Sequence, residues 1–335
     1  MTFLDDGALS SLRRAAGEPD LSNTKYELIQ HIACGGMSSV YLAFDRELQR
    51  NVALKVSDAA DVDGGIAERM LREAQIVAKL EHPGIVAIHD VGTLPDQRSF
   101  CVMKFVEGQT LDQHFVNQYN KNQHNLNGAS FREAIGILKK VCEAVAFAHS
   151  RGVLHRDLKP QNIIVGVYGE VVVLDWGVAC ETRPNEIIGE KVDINIDANK
   201  MIVGTPGYMS PEQALGETNQ INEQSDIYQL GAVLYFIITG KAAGIGETLI
   251  FPSGAARRIR AICKKALSAR QQDRYKTAAE LAMDLQNFLD GQPVLAYRET
   301  WFERMLLWID RNRFLVGIVA AYLLMRVSIL LFFDK

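Results

Sequence analysis

Cysteine pairs are missing from this 335-residue sequence. Disulfide frameworks and structural zinc sites need closely spaced cysteines, and no C-x-x-C motif occurs here. The few cysteines are scattered along the chain, at Cys34, Cys101, Cys142, Cys180 and Cys263. We therefore predict free thiols and a protein that folds in a reducing compartment.

A basic surface and an amino-terminal apolar run are also missing. The formal net charge is −4, whereas proteins that grip nucleic acid need a dense cluster of lysine and arginine. Residues 1–20 include Asp5, Asp6 and Glu18 and no long apolar stretch, so they do not form a secretory signal. These absences argue against nucleic-acid binding and predict that the main domain stays in the cytoplasm.

The one long apolar run lies near the carboxyl end, at residues 314–333. About 20 apolar residues suffice to cross a bilayer, so this run is predicted to be a transmembrane helix. Residues 291–313 before it are predicted to form a juxtamembrane amphipathic segment. Arg326 opposes insertion, because a charge at the bilayer centre costs ~2.5–3.5 kcal/mol. The alternative is a helix that packs on the main domain or on a partner chain.

Hydrophobic periodicity divides the main domain into two parts. Alternating apolar and polar positions dominate residues 26–108, as in strands, with a helical pattern at about 65–80. Residues 109–290 mostly follow helical spacing, for example at 131–150. An asparagine- and glutamine-rich stretch at 117–128 predicts a polar loop. The pattern indicates an α+β protein whose sheet-rich part precedes its helix-rich part.

The strongest chemical signal is the motif HRDLKPQN at residues 155–162, followed by DWG at 175–177. Transfer of a phosphoryl group from ATP needs a carboxylate that orients the attacking hydroxyl, ligands for Mg²⁺ and cations near the phosphates. With these motifs the sequence resembles the eukaryotic-like protein kinases found in bacteria. The resemblance implies a two-lobed protein kinase fold. A small antiparallel β lobe with one main helix would comprise residues 26–108, and a larger α-helical lobe residues 109–290.

The resemblance assigns roles to four residues of these motifs. It implies that Asp157 is the catalytic base and that Lys159 steadies the phosphoryl group during transfer. Asn162 and Asp175 are implied to hold the Mg²⁺ ions. A single aspartate or asparagine is usually an exposed turn residue, but the spacing of all four favours catalysis.

Two further residues are expected in the site. Lys55, in the VALK segment of a predicted strand, matches the family lysine that binds the α and β phosphates. Glu73, in the next predicted helix, matches the glutamate that pairs with that lysine. A lone lysine and glutamate more often form a solvated surface pair worth ~0–1 kcal/mol. Their position relative to the later motifs instead predicts a functional ion pair.

The predicted phosphate-covering loop departs from the family pattern. The family motif G-x-G-x-x-G-x-V appears as ACGGMSSV, which keeps only the central glycine. The residues of this loop are Ala33, Cys34, Gly35, Gly36, Met37, Ser38, Ser39 and Val40. The two glycines still permit a tight turn and close backbone approach to phosphate oxygens. We therefore expect ATP binding with altered affinity, although such a loop by itself would be an ordinary hairpin turn.

The resemblance also implies an apolar pocket for the adenine ring of ATP. Val40 and Ala53 are expected above the ring and Ile164 below it. Met103 is expected at the gate before the hinge. The implied hinge residues are Lys104, Phe105 and Val106. Each of these residues could equally belong to an ordinary core.

The motif GTPGYMSPE resembles the family segment that receives the substrate peptide. The resemblance implies a structural ion pair between Glu212 and Arg274. It also implies a buried Asp226 that braces the catalytic loop, which is the HRDLKPQN segment at residues 155–162. Lys159 and Thr205 are implied to meet near the catalytic aspartate. In the family, this combination accompanies specificity for serine or threonine.

Two departures from the family bear on regulation and on substrate range. No Ser, Thr or Tyr occurs at residues 183–204, where relatives carry a phosphorylated residue that binds the arginine at position 156. We therefore expect activity without loop phosphorylation, or phosphorylation of Thr182. Residues 241–256 are much shorter than the corresponding region of relatives, which often docks substrates. The substrate range of the family is therefore not carried over.

Together these residues predict an ATP-dependent serine/threonine protein kinase that uses Mg²⁺ and acts on protein substrates. The expected organisation is an amino-terminal lead at 1–25, a kinase domain at 26–290, and the two carboxyl-terminal segments described above. The helix would tether the enzyme to a membrane with its kinase domain on the cytoplasmic side. The alternative is a membrane-bound pseudokinase that binds nucleotide or a partner without catalysis. The complete set of catalytic residues favours the active enzyme.

Overall fold

Strands dominate the first third of the chain and helices the remainder, as the hydrophobic pattern predicts. A computed structural model describes residues 17–35, 38–60, 65–122, 126, 128–176, 180–181, 205–244, 246, 248–299, 301, 305 and 312–333. The strands are β1 (Tyr26–Cys34), β2 (Ser38–Asp45), β3 (Arg50–Ser57), β4 (Ile88–Thr93), β5 (Ser99–Lys104), β6 (Gly108–Thr110), β7 (Val153–Leu154), β8 (Ile163–Gly166), β9 (Val171–Val173) and β10 (Cys180–Glu181). The helices are α1 (Gly65–Ala78), α2 (Leu111–Asn122), α3 (Ala129–Ser150), α4 (Pro211–Ala214), α5 (Glu223–Thr239), α6 (Arg257–Ala266), α7 (Ala278–Leu289) and α8 (Arg313–Phe333).

The amino-terminal lobe is a five-stranded antiparallel sheet with the strand order β1-β2-β3-β5-β4. Val52, Leu54 and Val56 alternate along β3 and are buried, because successive side chains of a strand point to opposite faces. Helix α1 packs against β4 and β5 and buries Ala74 and Val77. The small antiparallel lobe with one main helix is therefore confirmed.

The carboxyl-terminal lobe is built around helices α3 and α5. Helix α5 is apolar on nearly all sides and is buried along most of its length, as expected for a helix at the centre of a domain. The side chain of Asn222 caps its first turn, and Gly240 ends it in a left-handed conformation (φ 72°). Helix α3 packs against α5 and α7, and α6 packs against α5 and α7. This lobe confirms the predicted helix-rich half of the domain.

Residues 17–25 belong to the amino-terminal lobe, although the sequence suggested a separate lead. The guanidinium of Arg98 donates hydrogen bonds to the carbonyls of Gly17 (3.1 Å) and Glu18 (2.9 Å). Leu21 packs against the apolar face of the sheet. Residues 1–16 lie outside the described part of the chain.

The carboxyl-terminal lobe also continues beyond the predicted boundary at residue 290. The buried carboxylate of Asp284 accepts hydrogen bonds from the backbone N–H groups of Leu295 (2.6 Å) and Ala296 (2.9 Å) and from the hydroxyl of Tyr275 (2.8 Å). Val294 is buried in the same core. Residues 291–299 therefore pack on the lobe, in place of the predicted start of an amphipathic juxtamembrane segment.

The predicted transmembrane helix at 314–333 is not supported. Helix α8 covers this run, but no helix within the described residues is long and apolar enough to span a membrane.

Two smaller predictions have different outcomes. The predicted polar loop at 117–128 is wrong in its first half, because α2 continues to Asn122 after a start that is anchored by the buried Leu111. The four cysteines whose side chains are described carry free thiols, as predicted.

Candidate active site

The residues predicted to carry the chemistry meet around the carboxylate of Asp157. Its Oδ2 accepts a hydrogen bond from Lys159 Nζ at 2.7 Å. Its Oδ1 accepts bonds from the backbone N–H and from the hydroxyl of Thr205, at 3.0 and 2.9 Å. Lys159 Nζ also donates to Thr205 Oγ1 at 2.7 Å. Lys159 and Thr205 therefore meet at the aspartate, as the family resemblance implied, and they fix the orientation of its carboxylate.

The two residues expected to bind Mg²⁺ lie next to each other, and one of them contacts Asp157. Asn162 Nδ2 donates to the carbonyl of Asp157 at 2.8 Å, which leaves the amide oxygen of Asn162 as its atom for a metal. The backbone N–H of Leu174 donates to the carbonyl of Asn162 at 2.8 Å and so places Asp175 next to it.

The donor set suits Mg²⁺. This ion binds oxygen atoms, commonly one or two from the protein and the rest from phosphates and water. The described residues contain no cluster of three or more His, Cys, Asp or Glu side chains that could hold a metal. The side chain of Asp175 is 46% exposed, so a carboxylate and an amide oxygen are available to an ion that also binds phosphate.

Lys55 forms its ion pair with Asp175. The distance from Lys55 Nζ to Asp175 Oδ1 is 2.7 Å. Burial opposes the charge of each group, but the pair outweighs it, so the pKa of Lys55 is raised and the pKa of Asp175 is lowered. Strand β3 holds the lysine in place, since Lys55 lies opposite Val40 of β2 and Cys101 of β5.

The predicted ion pair between Lys55 and Glu73 is not formed, although both residues lie in the described part of the chain. The ammonium of Lys55 binds Asp175 instead. Burial raises the pKa of Glu73 to about 7, and the charge of Lys55 opposes this rise only in part. Glu73 is thus near the lysine and influenced by its charge, but has no direct contact with it.

A backbone hydrogen bond joins the two ends of the loop between β1 and β2. The backbone N–H of Gly35 donates to the carbonyl of Ser38 at 2.8 Å. A Cβ at Gly35 would lie 3.0 Å from that carbonyl oxygen, so glycine suits this position. Ala33 and Cys34 belong to β1 and Val40 to β2, while Gly36 and Met37 lie outside the described residues.

The implied adenine-lining residues lie where the two lobes join. Ala53 of β3 pairs with Met103 of β5. Val40 of β2 pairs with Lys55 of β3, two positions beyond Ala53. Ile164 of β8 pairs with β6, which directly follows the hinge. Val106 of the hinge is buried in the main core, whereas Phe105 is half-buried. The expected adenine-lining residues thus come from strands of both lobes.

A buried carboxylate holds the catalytic loop from below, as predicted. Asp226 accepts hydrogen bonds from the backbone N–H groups of His155 (2.9 Å) and Arg156 (2.8 Å) and from the ring of His149 (2.8 Å). Burial opposes ionisation of Asp226, but these donors outweigh it and lower its pKa. The backbone of Arg156 is left-handed (φ 69°), so these bonds stabilise a conformation that arginine rarely adopts.

His155 is a neutral ring in the core. The backbone N–H of Asp157 donates to His155 Nδ1 at 3.2 Å, so Nε2 carries the proton and donates to the carbonyl of Leu174 at 2.9 Å. Burial lowers the pKa of His155, in agreement with this assignment. The ring packs on Trp176, with 4.6 Å between centroids, and Trp176 packs in the same core as Val77 of α1.

Glu212 and Arg274 form the predicted structural ion pair. The guanidinium binds both carboxylate oxygens, at 2.8 and 3.0 Å, and Ser225 Oγ donates to the carboxylate at 2.6 Å. Burial opposes the charge of Glu212, but these donors lower its pKa to about 2. The guanidinium also donates to three backbone carbonyls, those of Gln224, Ser268 and Ala269. A cavity of about 630 Å³ opens beside this pair, apart from the catalytic residues.

One predicted feature lies outside the described residues, and two residues of the site were not expected from the sequence. Thr182 and residues 183–204 fall outside the described residues. Gln213 and Gln229 also hydrogen-bond to the catalytic loop, and neither residue was expected in the site from the sequence. The available signal for Gln229 was a polar residue in the apolar interior of α5, one turn after Asp226.

Comparison with known proteins gives results that agree with this geometry. The family model described as protein kinase domain matches residues 26–292. Among curated proteins, serine/threonine-protein kinase PknD of Protochlamydia amoebophila is 37% identical over 309 residues, which covers 83% of this chain and 30% of that protein. The PknD of Chlamydia trachomatis serovar D is 33% identical over 308 residues, covering 82% of this chain and 33% of that protein. The chain thus spans about a third of the length of these relatives.

Solved structures agree on the fold. The crystal structure of the Mycobacterium tuberculosis PknI kinase domain superposes with a TM-score of 0.59 at 23% sequence identity. The superposition covers 79% of this chain and 96% of that domain. At this identity the likeness supports the two-lobed fold alone.

Proposed function

The chain belongs to the protein kinase family, and we propose that it transfers the γ-phosphoryl group of ATP to serine or threonine hydroxyls of protein substrates. The observation that carries this proposal is the Asp157 carboxylate held between Lys159 and Thr205. The same geometry supports a preference for serine or threonine hydroxyls, because in the family the meeting of these two residues at the aspartate accompanies that specificity. The curated relatives are named serine/threonine-protein kinases.

Each residue around the cleft has a distinct task in this proposal. Asp157 accepts the hydroxyl proton of the substrate as the new phosphorus–oxygen bond forms. Lys159 supplies a positive charge beside the phosphoryl group, and Lys55 a second one on the ATP side of the cleft. Asn162 and Asp175 would hold Mg²⁺, which supplies charge neutralisation for the phosphates.

The test compares the purified chain with Asp157→Ala in labelled ATP and Mg²⁺, with peptides that present serine, threonine or tyrosine. We expect labelled serine or threonine, and a rate about 10²–10⁴-fold lower for the variant, which is the usual contribution of a general base. Equal labelling by both proteins would overturn the proposal and favour a pseudokinase. Labelling of tyrosine alone would refute the proposed specificity.

The position of the chain in the cell stays a prediction. A membrane location with the kinase domain on the cytoplasmic side was expected from the sequence, and helix α8 exposes large apolar side chains such as Phe314 and Ile318. We do not propose a single membrane-spanning helix, because no helix among the described residues has the length and apolar character that spanning requires. Recovery of the full chain outside the membrane fraction of lysed cells would contradict a membrane location.

A further inference from the structure

One buried side chain holds both peptide groups that flank the catalytic aspartate. Gln229 Nε2 donates to the carbonyl of Arg156 at 2.7 Å, and this carbonyl belongs to the peptide group before Asp157. Gln229 Oε1 accepts from the backbone N–H of Leu158 at 2.9 Å, in the peptide group after Asp157. A single amide thus fixes the backbone on both sides of the proposed base.

A second glutamine extends this contact to the substrate-receiving segment. Gln213 Nε2 donates to the same Arg156 carbonyl at 2.7 Å, and Gln229 Nε2 donates to Gln213 Oε1 at 3.0 Å. The backbone N–H and the hydroxyl of Ser210 also donate to Gln213 Oε1, each at 3.0 Å. We refer to Gln213 and Gln229 as the glutamine clamp. The clamp joins the catalytic loop to the segment that contains Thr205.

Burial of the two glutamines and the unfavourable backbone conformation of Arg156 increase the effect of losing these hydrogen bonds. Gln229 is 0% exposed and Gln213 is 3% exposed, so water does not replace a lost bond. The left-handed backbone at Arg156 is unfavourable for a side chain with a Cβ and persists only where its surroundings hold it. Asp226 accepts a hydrogen bond from the N–H of Arg156, and the clamp donates hydrogen bonds to its carbonyl. Both polar backbone groups of Arg156 are therefore held by buried side chains.

We propose that Gln229, supported by Gln213, is a positioning residue that keeps the Asp157 carboxylate aligned with the substrate hydroxyl. This inference rests on the proposed kinase function. Misplacement of a reacting group by about 1 Å can lower a rate about 10²-fold. Loss of the clamp is therefore expected to reduce turnover while nucleotide binding stays intact, because Lys55 and the adenine-lining residues do not touch it.

The main variant is Gln229→Met, which keeps a similar volume and removes the hydrogen bonds. We expect kcat to fall about 10- to 100-fold with an unchanged KM for ATP. Gln213→Met should have a smaller effect, because the Arg156 carbonyl and the Leu158 N–H both keep their bonds to Gln229. Ile237→Val is the matched control, since Ile237 is fully buried on the same helix but points into the apolar core. It is expected to keep the wild-type kcat.

A near-isosteric variant provides a pH readout. In Gln229→Glu, the protonated acid can accept from the Leu158 N–H and donate to the Arg156 carbonyl, whereas the ionised form cannot donate. The ratio of its kcat to that of the wild type is therefore expected to fall as the pH rises. A role confined to filling space would leave this ratio constant.

Hydrogen exchange separates failure of this inference from failure of the proposed function. In Gln229→Met the amide of Leu158 is expected to exchange faster than in the wild type and in Ile237→Val. Wild-type kcat together with wild-type exchange in Gln229→Met would overturn the clamp. If the wild type were no more active than Asp157→Ala, the kinase proposal would fail. Exchange at Leu158 would then still decide whether the clamp holds the loop, and unchanged exchange would refute it.

Discussion

Replacement of Arg274 by methionine is predicted to destabilise the carboxyl-terminal lobe without touching the catalytic residues. The guanidinium makes two hydrogen bonds to Glu212 and three to backbone carbonyls, and the side chains of both residues are at most 5% exposed. In Arg274→Met the Glu212 carboxylate would keep the hydroxyl of Ser225 as a donor but lose its opposite charge. A buried carboxylate would then lack compensation.

Two independent estimates give the size of the effect. The pKa of Glu212 falls from 4.5 to about 2, even though burial acts in the opposite direction. This difference corresponds to about 3 kcal/mol of stability at neutral pH. Removal of one partner from a buried ion pair typically costs ~3–5 kcal/mol. With ~2–4 °C lost per kcal/mol in a domain of this size, the Tm is expected to fall by roughly 6–20 °C.

The pH dependence has a definite sign. The pKa of Glu212 is lower in the folded protein than in the unfolded chain, so its contribution is complete above about pH 4.5. The contribution is lost as the pH falls toward 2. The difference in the free energy of unfolding between the wild type and Glu212→Gln should therefore shrink by about 1 kcal/mol between pH 7 and pH 3.5.

Urea unfolding of the full chain, followed by tryptophan fluorescence at both pH values, measures these quantities. Arg270→Met is the control, because Arg270 lies nearby on the same segment but is exposed. Its effect should stay within about 0.5 kcal/mol, as for most surface substitutions. An equally small effect of Arg274→Met, or a Glu212→Gln difference that does not change with pH, would refute the assigned role of the pair.

Three further predictions follow from single contacts. Burial raises the pKa of Glu73 to about 7, so the folded state keeps a proton that the unfolded chain releases, and stability falls as the pH rises from about 4.5 to 7. Glu73→Gln should therefore have a higher Tm than the wild type at pH 8, and this difference should shrink as the pH is lowered to 5 and vanish at about pH 3.5; a difference that does not change with pH would contradict this. Thr205→Val removes the hydroxyl that bonds both Asp157 and Lys159, so kcat is expected to fall about 10-fold, equivalent to one lost hydrogen bond. Thr205→Ser should retain most activity, and equal rates for both variants would argue against the contact. Asp284→Ala removes the acceptor for the backbone of residues 295–296, so unfolding should become easier by about 3 kcal/mol and exchange of these two amides faster. Unchanged exchange there would contradict the docking of this segment.

The fold and the catalytic loop were predictable because local patterns specify them. The period of two along β3 and the helical spacing of α3 each identify one buried face. Asp157, Lys159 and Asn162 lie within six residues of one loop, so their proximity in space follows from their proximity in sequence. The spacing between the motifs also predicted that the more distant Thr205 and Asp175 lie near this loop.

The domain boundaries were less predictable for a physical reason. Residues 17–25 and 291–299 dock mainly through backbone hydrogen bonds to the side chains of Arg98 and Asp284, with few apolar contacts such as those of Leu21 and Val294. Hydrophobic periodicity reports which face of a helix or strand is buried, but a backbone carbonyl or N–H group is the same in every residue. Neither segment therefore carries a pattern that distinguishes it from a linker.

The pairing of Lys55 shows the limit of motif matching within the site itself. Motif matching assigned Lys55, Glu73 and Asp175 to one site, and the charges of Lys55 and Asp175 both influence the pKa of Glu73. Which of the two carboxylates the ammonium group of Lys55 contacts depends on where α1 lies relative to β3. Conformations of a folded protein commonly differ by only a few kcal/mol. In this structure Asp175 binds the lysine at 2.7 Å and Glu73 is left with a raised pKa, so the identity of the residues was encoded in the motifs and their pairing was not.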